Sequence, residues 1–303
     1  MKFARINRCL RPFLFGFGLL FLAIMSVYSW PDLHLLLKQI RWPFFLLAMV
    51  VALLGNLITS ILMRELFVKY GLNISFSLGH KIYFYAQIAK YIPGKVWAFW
   101  YQATLLNVPG STSAMLFVNF ELTFLLVILT ASLAFALLLI PYGVIWALVV
   151  FACGLLLSVW VLKGCHLFAL VHRGLSSVKF FADKLCTCQN CLQPSKIVTY
   201  YFLFSCTYLI SNLLVIYAAF GFSLAQSIDY TAYLTLAWIC GTLFFVVPGG
   251  VGVKEFVFIM LARIFSGDIS MEALGAIAII FRFSTMLQEL LGVGLVFLLD
   301  LAE

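Results

Sequence analysis

Val247-Pro248-Gly249-Gly250-Val251-Gly252-Val253-Lys254-Glu255 interrupts an apolar stretch that runs from 231 to 266. Proline and glycine in the middle of such a run end or kink a helix. A shorter echo, Ile92-Pro93-Gly94-Lys95-Val96, breaks the apolar stretch 82–108 in the same way. The two pieces of 82–108 hold only about a dozen residues each, and a hydrocarbon core of about 30 Å takes about 20. Each broken stretch therefore reads as a pair of half-helices that enters a membrane and returns, a re-entrant hairpin.

Outward from the breaks lie unbroken apolar runs at 12–30, 43–63, 111–140, 142–162, 197–220 and 271–299. The expected fold is all-α and polytopic, with about six spanning helices and two re-entrant hairpins in a single domain over 1–303. Composition agrees. Hydrophobic residues make up 65% of the 303 residues and charged residues 10%, and the mean hydropathy is +1.12. A soluble domain carries about a quarter charged residues, so most of this surface must face lipid. The net charge of +8 does not signal nucleic acid, because the bases sit mainly between apolar runs, where they set orientation.

Twelve of the 19 basic residues fall in the segments 1–11, 64–81 and 163–196, and Lys38 and Arg41 are the two in outer loops. By the positive-inside rule the N- and C-termini are then cytoplasmic and the chain resides in the cell (inner) membrane. In that layout 43–140 and 197–299 contain the same three elements, helix, hairpin, helix, in opposite orientation. Inverted repeats with broken helices in matching places point to a transporter site at the breaks.

A glycine-rich turn that opens a helix leaves backbone N–H groups unpaired and favours an anion. Gly249, Gly250 and Gly252 open the backbone to close approach, and Lys254 adds a charge beside Glu255. Two readings stand for this segment, a phosphate site and a tight hairpin tip. Lys95 is the counterpart at the other break. Lys90, Trp97, Trp100 and Tyr101 near it read as headgroup-level anchors. Glu121, Arg282 and Glu289 lie within long apolar runs. A charge there costs about 2.5–3.5 kcal/mol on insertion scales, so function is the default reading. Arg282 and Glu289 share a helix face but sit about 10 Å apart along the axis, so each should face a partner on another element. Lys254 and Arg282 are the bases that Glu121 is expected to face. For Glu289 a structural ion pair and a functional role both stand.

Cys186, Cys188 and Cys191, with His166 and His172 upstream, match no strong zinc spacing, and no metal or other cofactor is expected. No zinc-protease motif and no nucleophile elbow occurs, so the chain does not read as an enzyme.

Pro248-Gly249-Gly250-Val251-Gly252-Val253-Lys254-Glu255 resembles the Pro-Gly-Gly-Leu-Gly-x-Arg-Glu signature of the lysylphosphatidylglycerol synthetase transmembrane region, a flippase-like membrane protein family. Tyr91 to Trp97, Glu121 and Arg282 are also similar, and the resemblance runs from about residue 12 to 299. It implies a domain that moves or handles an anionic lipid or lipid-linked saccharide head group between leaflets. The alternative it leaves is a non-transporting accessory subunit or membrane-embedded enzyme of glycolipid or polysaccharide assembly. Nothing in the chain is expected to house the soluble aminoacyl-transferase domain of larger members. The implied partners are membrane lipids, a second copy of the chain, or proteins of glycolipid synthesis.

Overall fold

The computed structural model describes residues 38–90, 96–106, 111–163, 194–244, 250, 252–266 and 271–302. The expected helix at 12–30, Lys95, Gly249 and the cysteine cluster 186–191 lie outside the described residues. Among the described residues the chain forms nine α-helices, one short 3-10 turn and no strand. They are α1 (Trp42–Lys69), α2 (Phe76–Ala89), α3 (Val96–Leu106), α4 (Ser111–Leu139), α5 (Val144–Lys163), α6 (Pro194–Phe220), α7 (Leu224–Leu243), α8 (Val253–Ser266) and α9 (Met271–Ala302). Five of them, α1, α4, α5, α6 and α9, are long and apolar enough to cross a membrane. The protein is thus a polytopic all-α membrane protein.

Two boundaries differ from the expectation, each for a local reason. The first described span continues past residue 63 to Lys69, because Lys69 finds a buried carboxylate partner and need not stop at the interface. The second broken stretch begins at Leu224 rather than 231, because Ser223 and Gln226 form a capping box that starts the helix.

Side-chain packing fixes where each element begins and ends. One core joins the end of α1 (Leu62, Met63, Leu66), Ile74 at the entry to α2 and Ile82 within it, Leu106 at the end of α3, the start of α4 (Met115, Val118), Val161 and Leu162 of α5, Ile197 of α6 and Val296 of α9. The other joins the start of α1 (Phe45, Ala48), the end of α6 (Val215, Ala219), Tyr230 of α7, Ala262 of α8 and the start of α9 (Leu274, Ile277). The α2–α3 segment therefore leaves from and returns to one end of the molecule, and the α7–α8 segment does so at the opposite end. Both are hairpins, and they open in opposite directions.

The contacts between helices are reciprocal. α1 and α6 form the central pair, α2 packs on α9, and α7 packs on α4. The central pair is close: a Cβ on Gly55 of α1 would lie 2.8 Å from Thr207 Oγ1 of α6. α5 stands at the edge, with Ile145, Trp146, Leu156 and Trp160 exposed, as lipid-facing residues should be.

Candidate functional site

Between the two cores lies a cavity of about 220 Å³ that draws residues from α1, α2, α4, α6, α7, α8 and α9 and from Lys90. Its charged lining is Lys90, Lys254, Arg282, Glu255 and Glu289. Lys90 immediately follows α2 as its C-cap, and Lys254 lies in the first turn of α8. The two hairpins, entering from opposite ends, thus deliver one lysine each to the same space. Amides and hydroxyls of Asn56, Thr59, Gln87, Asn212, Thr285 and Gln288 fill out the polar lining, with Tyr83, Tyr208 and Trp238 as aromatic walls. Tyr83 Oη donates to Asn56 Oδ1 at 3.1 Å.

Two of the three cations carry their own acid. Lys90 Nζ is hydrogen-bonded and ion-paired to Glu289 Oε1. Arg282 lies 3.7 Å from Glu255 Oε1. Both pairs tie a hairpin to α9, on which Arg282 and Glu289 sit two turns apart. Glu289 is 5% exposed, and its second oxygen, Oε2, is buried without a hydrogen-bond partner among the described residues. Among the described residues no carboxylate pairs with Lys254. Its Nζ stands 5.9 Å from the Trp238 ring centroid, within cation–π range.

Of the two readings of the second break, close packing within the chain is what the described glycines Gly250 and Gly252 fit. Gly250 has φ +67°, which only glycine adopts without strain. A Cβ there would lie 2.8 Å from the Gly241 carbonyl oxygen and 2.9 Å from Lys254 Cε. A Cβ on Gly241 would collide with the Lys254 stem as well. These two glycines make the channel through which Lys254 reaches the cavity. Gly252, with φ +82°, donates its N–H to Glu255 Oε2 at 2.6 Å. The chain's own carboxylate therefore takes part of the anion-attracting helix start.

Glu121 is placed elsewhere, and the expectation that it faces Lys254 or Arg282 is corrected. It accepts from Lys69 Nζ at 2.6 Å through Oε1 and from Tyr70 Oη at 2.6 Å through Oε2. Lys69 also donates to the Leu162 carbonyl at 3.1 Å. Glu121 does not line the cavity. Lys69 escaped the sequence reading because it lies beyond the apolar run, and Lys90 was assigned to the interface because of its aromatic neighbours.

The chain matches the family model described as "Lysylphosphatidylglycerol synthase TM region" across residues 12–292. It belongs to the lysylphosphatidylglycerol synthase transmembrane-region family. No curated protein and no solved structure matches the chain. For this family member, of the residues singled out from sequence, the structure gathers Lys254, Glu255, Arg282 and Glu289 in one cavity, sets Gly250 against the Lys254 stem and Gly252 against Glu255, and removes Glu121 to a separate cluster. Asn56, Gln87, Asn212 and Trp238 carried no sequence signal, because polar residues of this kind also occur as harmless interhelical contacts.

Proposed function

We propose that this membrane protein moves an anionic lipid or lipid-linked saccharide head group across the cell membrane, with both termini in the cytoplasm. The observation that carries the reading is the convergence of Lys90 and Lys254, from hairpins that open at opposite ends, on one polar cavity. The cations attract the head group, while the amides and hydroxyls replace its hydration. The acyl chains stay in lipid, outside the cavity. Rocking of one hairpin and then the other exposes the cavity to each side in turn, as inverted repeats do in other carriers. The halves 43–140 and 197–299 are the two repeats of this scheme, and the reciprocal packing of α2 on α9 and α7 on α4 supports it. The protein binds its cargo without changing it chemically.

Reconstitution tests this. The purified protein is placed in vesicles bearing an anionic phospholipid with a fluorescent label, and exchange between leaflets is followed by quenching from outside. Exchange should be faster than in protein-free vesicles and should fall to that background with Lys254→Glu. Parent protein that binds the lipid but leaves exchange at background would replace transport by the accessory, lipid-holding role.

A further inference from the structure

Charge in the cavity is arranged unevenly. Lys90 is held by Glu289 and Arg282 lies near Glu255, while Lys254 carries no carboxylate among the described residues. A cavity meant only to gather negative charge would not place two acids in its wall. Each acid stands within ion-pair distance of one cation and repels any further negative group that enters. We propose that Glu289 and Glu255 determine the charge of the ligand: they leave Lys254 as the position for a single negative charge, so the cavity takes a phosphodiester and rejects a phosphomonoester that carries two charges. This rests on the proposed lipid-handling function and specifies its substrate class.

Other features make the assignment specific. The Lys254 stem packs against Gly241 and Gly250, which sets the course of its ammonium into the cavity. The uncharged lining from Gln87, Asn212, Thr285 and Gln288 offers hydrogen bonds to neutral groups on the far side of a diester, where a monoester has none. The bare Oε2 of Glu289 is the group a second negative charge would meet.

The test compares two lipid probes with the same acyl chains, a phosphatidylglycerol and a phosphatidic acid, binding to purified protein in uncharged detergent. The pH is held near 7, above the second ionisation of a phosphomonoester at about 6, so that phosphatidic acid carries mostly two charges. A water-soluble glycerophosphodiester serves as competitor, to separate recognition of the head group from that of the acyl chains. Parent protein should favour the diester about tenfold, the size expected for one extra unit charge at short range in a partly screened site. Glu289→Gln should erase or reverse that preference. Lys90→Gln combined with Glu289→Gln removes the pair without changing the net charge and should restore it. An unchanged preference in Glu289→Gln overturns the proposal. If Glu289→Gln does not fold, Glu255→Gln decides: a lost preference supports the charge balance, and a parent-like preference overturns it. Parent protein that binds neither lipid would instead sink the proposed function itself.

Discussion

Glu121 and Glu289 are two buried acids with opposite surroundings. Each lies in a long apolar helix, each is nearly inaccessible (3% and 5% exposed), and each takes a lysine. Around Glu121 the account is closed. Lys69 and Tyr70 use both oxygens, Lys69 is 12% exposed, and the Leu162 carbonyl takes another of its protons. Around Glu289 it is open. Only Oε1 is bonded, Lys90 is 29% exposed, and a cavity adjoins them. A saturated pair fixes where the ends of α1, α4 and α5 meet. An unsaturated pair beside a cavity can exchange partners. Burial of a charge in a membrane helix is shared by both and does not distinguish them.

The sharpest way to break this contrast is Glu121→Gln. Removing one partner of a buried pair leaves the other uncompensated and costs about 3–5 kcal/mol. The variant should fail to accumulate, and Lys69→Met combined with Glu121→Leu should recover most of the protein, measured by thermal unfolding in detergent. A Glu121→Gln protein of normal abundance that no longer functions would return Glu121 to a functional rather than a structural role.

Lys254→Glu comes next. It should reduce anionic-lipid binding about a hundredfold, since attraction becomes repulsion in a site remote from bulk water, while the melting temperature shifts far less than for Glu121→Gln. Lys254→Arg should keep binding, because the charge remains. Equal loss of binding in both variants would show that Lys254 acts through packing alone.

Gly250→Ala should cost about 1–3 kcal/mol, from a positive φ and from the 2.8 Å approach to the Gly241 carbonyl. Gly252→Ala also carries a positive φ, but a Cβ there meets nothing, so its cost should lie at the low end. Calorimetry on the two variants separates strain from collision.

Hairpin and span positions were legible in the sequence because proline and glycine punctuate apolar runs that are otherwise continuous. The breaks at 92–95 and 247–252 fall between the observed half-helices. Arg282 and Glu289 were legible too, as charges on one face of a single helix, and each does meet a partner on another element. What the sequence could not show was pairing across distance. Lys69 meets Glu121 from 52 positions away, and Lys90 meets Glu289 from 199 away. No local period carries that information. The role of Gly250 stayed open for a related reason: a glycine that admits a ligand and a glycine that admits a neighbouring lysine leave the same letter in the chain.

The smallest expected effect is a pH response at the closed end. His80, in the second turn of α2 and outside the five helices long enough to span, shares a hydrogen bond with Ser60 at 2.8 Å. Burial, and then the nearby Arg64, push its imidazole below the usual 6.5. The folded state thus takes up this proton less readily than the unfolded one. Its contribution is intact above 6.5 and is lost as pH falls through the lowered value. Melting temperature should drop modestly as pH falls from 6.5 through the lowered value, and His80→Gln should flatten the response. An unchanged slope in His80→Gln would assign the acid sensitivity to another group.

The crossed packing of α2 on α9 and of α7 on α4 also governs how the protein is made. α2 emerges from the ribosome about 180 residues before the helix that covers it begins. At about 5–20 residues per second that is a wait of about 10–40 s. During that time the cavity-facing side of α2, with Tyr83 and Gln87, has no protein partner from α9. The first half must therefore be inserted as an unfinished bundle, sheltered by lipid or by the insertion machinery, and it closes only when the last helix arrives.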